Sequence, residues 1–487
     1  MLTRRNRLQL LCLAALALPS CTSGESSESS PDVLLVIVDT LRADALGSYG
    51  SELGTSPNLD RFAQSATRFA NCYAQAPNTA TSHATLFTGL YPWSHRVANL
   101  TSVESGTPGL PPVFETLAER FHAAGYQTAA FTDGGPLGRT WNLCQGFELL
   151  EGRYEGVRAK VDRALRWLTT ERDERPTFML VHTYQVHLPY VAPPEWVERF
   201  AGGYEGPLVS AVADIRAARA EGGEAQPDGQ RLLRDRASFT ERDWTQLRAL
   251  YDAEVAYTDH VLEELLGETR DDGALAGAIV AITSDHGEEF GEHGDWGHHQ
   301  LHRETLHVPL LVRFSAGAGA GLVVEEPVGL IDLFASLLDA AALEQPHLSD
   351  SRSLMPLVTG GRRAELPLFA ETTEHLYAER QVPWRRSVRV GNSTYLSSLA
   401  DADDPASDSA RLFDASTDPE ERIDLLAEGA LGRESIQART ARDLIENHLR
   451  DAIERRLELL DGRPATYVLP PDSELERELQ ALGYTGE

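Results

Sequence analysis

The chain has 487 residues, of which 42% are hydrophobic, and carries a formal net charge of -30. Ordinary apolar content excludes a disordered chain, and the length admits one large α/β unit with an extension. The acidic balance excludes nucleic acid as a partner, since phosphate backbones are held by basic faces.

Arg4, Arg5 and Arg7 precede an apolar run over residues 8–18 that is too short to cross a bilayer. Leu18-Pro19-Ser20-Cys21 follows, which reads as a lipoprotein signal with Cys21 as the lipid-anchored residue, or else as an ordinary secretory signal. Both place the mature chain outside the cytoplasm, in the periplasm or cell envelope, and the first ties it to a membrane surface. Residues 1–20 are therefore signal and residues 21–32 a polar, flexible spacer. Residues 33–345 form the expected catalytic α/β domain and residues 346–487 a smaller C-terminal subdomain.

Within the larger portion, residues 33–38 are a continuous apolar, β-branched run that ends at Asp39. Similar runs end at Asp133 (residues 128–132) and His182 (residues 178–181), and residues 278–282 lead to Asp285. Such runs predict strands of a parallel sheet buried on both faces, with a ligand site beyond their carboxyl ends. Helical spacing covers residues 112–124 and 329–341, and a Gly- and Ala-rich insertion covers residues 201–237. Further on come short strands at 386–390 and 394–397, an acidic loop at 401–408 and a helix over 434–460. Cys72 and Cys144 could pair outside the cytoplasm, but their spacing alone leaves this open.

Two stretches carry chemistry. Residues 285–307 hold six of the fifteen histidines directly after a predicted strand, a density that suits a divalent metal and proton transfer. Residues 77–92, PNTATSHATLFTGLYP, place hydroxyls where a helix should begin, and Gly89 and Pro92 where it should end. A hydroxyl at a helix N-terminus is suited to attack on an anionic ester, because the N–H groups and the dipole favour negative oxygens there.

The order of segments resembles the sulfatase family of the alkaline phosphatase superfamily. VLLVIVDTLRADALGSYG, NTATSHATLFTGLYPWSH, VHTYQVHLPYVAPP, ITSDHGEEFGEHG, HVPLLVRF and RLFDASTDPEERIDLL carry it over nearly the whole mature chain. The resemblance implies an alkaline-phosphatase-like α/β sandwich: a mostly parallel central sheet covered by helices, with a small C-terminal sheet and long helix. It also implies a metal site at Asp39, Thr40, Thr79, Asp285 and His286. Thr40 stands where the family usually has a second aspartate, and His286 where it often has asparagine. Oxygen ligands alone suit calcium or magnesium, whereas hydroxyl and imidazole shift preference toward zinc or manganese. Room for a second metal stays open.

Thr79 stands at the family's nucleophile position, Thr81 at that of its proline and His83 at that of its arginine. Oxidation of a threonine gives a ketone, so the family's formylglycine aldehyde cannot form and Thr79 is expected to act unmodified. Sulfatases typically hold sulfate with two lysines, and Lys160 is the single lysine here. His298, with His182 or His187, is the expected substitute as leaving-group acid and oxyanion contact. His299 is the alternative to His298, while His122, His260, His302 and His307 are expected to pack. The reading is an exported, metal-dependent hydrolase of sulfate, phosphate or phosphonate esters on a small molecule, glycan or lipid. The alternatives are a phosphoryl or headgroup transferase and a catalytically silent glycan-binding domain. Oligomeric state has no signature in the sequence.

Overall fold

Alternate residues of the first strand, β1 (Val33–Val38), belong to opposite sides of one sheet. Val33, Leu35 and Ile37 join one buried apolar cluster, and Leu34, Val36 and Val38 join another. That division explains the unbroken apolar run, because a strand buried on both faces has no solvent side for polar residues. In this computed structural model the described residues are 30–97, 108–220, 236–372, 375–377, 380–382, 385–398, 410–427, 435–460 and 467–468. The expected signal with Cys21, most of the spacer and the acidic loop at 401–408 lie outside them.

After β1 the main sheet takes β2 (Thr67–Tyr73), β3 (Gln127–Thr132), β4 (Leu149–Gly152), β5 (Thr177–Thr183), β6 (Ile279–Thr283) and β7 (His307–Arg313). Their spatial order is β2-β7-β6-β1-β5-β3-β4, and the short strands Val323–Val324 and Val328–Gly329 both pair with β2. The run from β6 to β4 is parallel, whereas β7 lies antiparallel to both β6 and β2. The sheet is thus mixed and mostly parallel, with helices on it, as in alkaline-phosphatase-like folds.

Helix α1 (Thr79–Thr88) is buried along its whole length. Asn78 caps its start by accepting from the Thr81 N–H at 3.1 Å, and Gly89 ends it at φ 65°. A Cβ at Gly89 would come within 2.6 Å of Phe334, so both conformation and space require glycine there. The helix expected over 112–124 begins later, as α2 (Leu117–Ala123), behind a Thr116–Glu119 capping box. Next come α3 (Gly156–Thr170), α4 (Pro207–Ala220), the long α5 (Glu241–Gly267) and α6 (Asp332–Ala340). Part of the expected 201–237 insertion is therefore a helix.

A second sheet, Leu368–Glu371, Arg385–Val390, Ser393–Ser398 and Ala410–Asp414, is antiparallel throughout and carries the helix Ile436–Leu460 on its own small apolar cluster. Leu354, Leu368, Leu396 and Phe413 also extend the cluster that holds Val33 and Leu35. Cys72 and Cys144 are separate, buried free thiols.

Leu35 is fully buried at the middle of β1. Leu35→Ala should lower the unfolding free energy by about 2–5 kcal/mol in denaturant titrations, the range for a core leucine truncated to alanine.

Candidate metal centre and active site

β1 and β6 are parallel neighbours, with Ile37 opposite Thr283, so Asp39 and Asp285 leave the sheet on the same edge. Both are fully buried, and Asp39 Oδ1 and Asp285 Oδ2 have no hydrogen-bond partner. One ligand atom each from Asp39, Asp285 and His286 lie within 4.8 Å of one another. Burial first, then the charge of Asp285, pushes the Asp39 carboxyl well above the usual carboxylate range. Burial acts on Asp285 in the same sense, but His286, His83 and His182 prevail and hold it below that range. Two buried carboxylates with orphaned oxygens and a nearby imidazole fit a divalent cation, and the mixed oxygen and nitrogen donors suit zinc or manganese.

Thr79, the first residue of α1, donates from Oγ1 to Asp39 Oδ2 at 3.1 Å and stands 3.5 Å from His286 Nε2. His286 Nδ1 gives its proton to the Gly287 carbonyl at 3.0 Å, which leaves the Nε2 lone pair for a ligand role. Ser82, one turn along α1, donates to the Asp285 carbonyl at 2.6 Å, and Ser284 donates to the His286 carbonyl at 2.6 Å. Helix and strand end are thereby locked together around the nucleophile candidate.

Thr40 forms the turn beside Asp39. Its hydroxyl donates to the Asp39 carbonyl at 2.8 Å, and its backbone is left-handed, with φ 57°. A β-branched residue adopts that conformation only under constraint. Tyr251 on α5 supplies the constraint: its hydroxyl donates to the Thr40 carbonyl at 2.9 Å and accepts from the Arg42 N–H at 2.8 Å. Thr40 thus shapes the turn after the ligand strand, with its hydroxyl proton given to the Asp39 carbonyl.

The four expected catalytic histidines divide into two pairs. His83 lies 3.4 Å from Asp285 Oδ2 and His182 lies 3.6 Å from Asp39 Oδ2, with their rings edge to face at 5.0 Å. Burial lowers the pKa of both, most strongly for His182. His83 Nδ1 donates to the Thr79 carbonyl at 2.8 Å, and its Nε2 and both nitrogens of His182 are buried without hydrogen bonds. On the other flank, the His298 ring lies tilted at 4.5 Å from His286 and 5.4 Å from His187. The ring of His299 packs edge-on against Trp296 at 5.9 Å and lies 5.6 Å from His298.

His298 Nδ1 bonds Glu288 Oε1 at 2.9 Å, and Tyr190 donates to Glu288 Oε2 at 2.9 Å. A carboxylate acceptor puts the proton on Nδ1, so Nε2 becomes the nitrogen that exchanges protons. Burial, followed by the charge of His298, lowers His187 to about 4, and its Nδ1 donates to the Leu188 carbonyl at 2.7 Å. His187 is therefore neutral near pH 7 and offers an acceptor nitrogen, which suits it poorly as an oxyanion donor. Glu288 was legible as a carboxylate beside Asp285-His286, but nothing in the order of residues paired it with His298.

The remaining expectations fall elsewhere. Asp133 ends β3 without joining the metal ligands: it accepts from Thr183 Oγ1 at 2.8 Å and from the Tyr184 N–H at 2.9 Å. Lys160 is fully buried and pairs with Asp133 at 3.3 Å, so the single lysine braces the strand end behind His182. His302 pairs with Glu421 at 3.1 Å and stacks on His293 at 3.6 Å, while His307 contacts the Ala70 carbonyl at 2.9 Å. His122 and His260 lie at Glu148 and Trp196.

The family model described as Sulfatase matches residues 31–343, and the model for the C-terminal part of N-sulphoglucosamine sulphohydrolase matches residues 291–448. The chain is 26% identical to arylsulfatase K of Bos taurus over 450 residues, 82% of this chain and 78% of that protein. It is 22% identical to an N-acetylglucosamine-6-O-sulfatase of Bacteroides thetaiotaomicron over 499 residues, 85% of this chain and 86% of that protein. The solved phosphonate monoester hydrolase of Agrobacterium radiobacter shares its fold, with a TM-score of 0.66 and 22% identity over 88% of this chain and 96% of that one.

Purified protein should retain close to one equivalent of a divalent metal by elemental analysis, and Asp285→Ala should lose it. Chelation of the wild type should lower its melting temperature, since a ligand at 100 to 1,000 times its dissociation constant contributes about 3–4 kcal/mol. Metal-free wild type with unchanged stability would contradict this assignment.

Proposed function

Because the chain belongs to the sulfatase family, we propose that it hydrolyses sulfate, phosphate or phosphonate esters at this centre, with unmodified Thr79 as the nucleophile. The Thr79 hydroxyl carries the reading, buried at a helix N-terminus and within 3.1 Å of Asp39 and 3.5 Å of His286. Asp39, Asp285, His286 and the Thr79 oxygen would hold a divalent cation, which would offset the paired carboxylates and stabilise negative charge on the ester oxygens. The helix N-terminus favours the same oxygens.

Thr79 directs its proton at Asp39, which leaves an oxygen lone pair for in-line attack. Attack forms a bond from Thr79 Oγ1 to phosphorus or sulfur, passes the Thr79 proton to Asp39 and breaks the bond to the alcohol, whose oxygen takes the His298 proton. Glu288 stabilises the protonated form of His298 and holds its ring. Water then cleaves the Thr79 ester, with His298 taking a proton from the water and Asp39 returning its proton to Thr79 Oγ1. Because no aldehyde hydrate is available to expel the anion, this second attack must occur at phosphorus or sulfur. Phosphorus accepts water more readily, which favours phosphate and phosphonate esters within the family's range. The export and membrane anchoring expected from Cys21 belong to the same proposal, as does a substrate in the cell envelope.

Thr79→Ala should reduce kcat by at least about a thousandfold on aryl sulfate, phosphate and phosphonate esters, while Thr79→Ser keeps a measurable rate. Full turnover by the alanine variant would refute the nucleophile. An acceptor alcohol that raises product formation would indicate transfer, and binding of glycans without turnover of any ester would indicate a silent domain.

His298→Ala and Glu288→Gln should slow alkyl esters by about a hundredfold or more, yet barely affect nitrophenyl esters, whose leaving groups need no acid. Kinetics across a series of leaving-group pKa values should show a steeper dependence in both variants. Equal losses on good and poor leaving groups would remove His298 from the acid role.

A further inference from the structure

The Asp39 side chain does little to aim itself. Its Oδ1 has no hydrogen-bond partner, and its Oδ2 accepts from Thr79, the nucleophile candidate. Its direction is therefore set by the backbone of residues 39–42, which is held from three sides. The Asp39 N–H donates to the Thr183 carbonyl at the end of β5, and the Leu41 N–H donates to Ser284 Oγ beside Asp285. The Thr40 carbonyl and the Arg42 N–H both meet one group, the Tyr251 hydroxyl on α5, at 2.9 and 2.8 Å.

Thr40 makes that hydroxyl more than a packing contact. At φ 57° a β-branched residue lies outside the backbone conformations it favours, so the turn persists only where its surroundings hold it. Tyr251 clamps the two polar groups that follow the strained Cα. The angle cannot relax without breaking both hydrogen bonds, and Tyr251 and Thr40 are each 0% exposed, so water cannot replace them. Relaxation about Thr40 would turn the Asp39 carboxyl relative to Asp285.

The hydroxyl is itself fixed. The Tyr251 ring meets Phe290 edge to face at 5.1 Å and Tyr190 at 5.7 Å, and the Arg248 guanidinium lies over it at 5.2 Å. Leu247, Leu250 and Leu262 pack α5 into the apolar cluster that holds Val36 and Val38 of β1. The helix thus bears on the strand and on the turn that follows it.

Resting on the metal centre assigned above, we propose that Tyr251 is a positioning residue for the metal: its hydroxyl holds Thr40 in the left-handed region and so keeps Asp39 turned toward Asp285 and His286. It acts through the turn, with its hydrogen bonds directed at backbone, and it raises metal affinity without being a ligand.

Zinc and manganese affinities of the full chain, measured by competition with a chromophoric chelator, test this. Tyr251→Phe keeps the ring and loses the hydroxyl, and should weaken binding by about 10- to 100-fold, the range for groups that orient a ligand from behind. Leu262→Ala, about three turns further along α5, should lower the melting temperature yet leave affinity within about twofold, which separates aim from stability. A double-mutant cycle tests the route through Thr40. Asparagine enters the left-handed region more readily than threonine. The loss on Tyr251→Phe should therefore shrink to within about threefold when both proteins compared carry Thr40→Asn. Should the single variant fail to fold, this pair decides by itself, and a tenfold loss between its members would overturn the proposal. So would equal affinity in wild type and Tyr251→Phe, or an equal loss in Leu262→Ala; each leaves the metal centre standing. If the wild type binds neither metal, the metal centre fails and the proposal with it.

Discussion

The structure turns on bringing two carboxylates, Asp39 and Asp285, out of water on adjacent parallel strands. Like charges at that separation cannot both be ionised in a buried place without positive charge between them. Everything near them reduces that conflict. His286, His83 and His182 face the pair, α1 points its N-terminus at it, and Ser82 and Ser284 lock the backbone that carries it. A fold that buries both faces of its sheet makes this arrangement rigid, because the strands that deliver the carboxylates cannot shift without disturbing either apolar cluster.

The two histidine pairs then have different work. His83 and His182 are enclosed next to the carboxylates. His298 and His187 line one small pocket, and only His298 has a carboxylate partner able to stabilise its charged form. This asymmetry suits the proposed hydrolysis, in which one side would hold the anion and the nucleophile and the other would handle the departing alcohol. Where the family typically has lysines, the proposed acid here is His298, bonded to Glu288 at 2.9 Å.

The rest of the histidine-rich stretch serves assembly. His293 and His302 stack on each other and reach Glu304 and Glu421, and Glu421 in turn meets Arg389 of the small sheet at 2.7 Å. The loop that supplies His286 and His298 is thereby fastened to the C-terminal portion. Arg42 adds a tie from the other direction, through the Glu288 carbonyl at 2.9 Å and Glu292 at 2.6 Å. Stabilising contacts and catalytic candidates alternate along one short segment, so neither role can be read from histidine density.

By itself the sequence determined the strands and which of their ends carry chemistry, because an apolar run without a polar face has one physical solution, burial between helices. Asp39, Asp285-His286 and the Thr79 helix start were legible for the same local reason: each directly follows or caps an element whose pattern is periodic. Tertiary structure alone decided the partners. Asp133 looked equivalent to Asp39 along the chain but went to Lys160, since β3 lies two strands from β1 with β5 between them. Thr40 holds a left-handed backbone in space through a tyrosine more than two hundred residues away. The pairing of Glu288 with His298 follows from how one loop folds back on itself. Local periodicity carries no record of such long-range pairing, which is set only when the sheet edge, α5 and the loop close on one another.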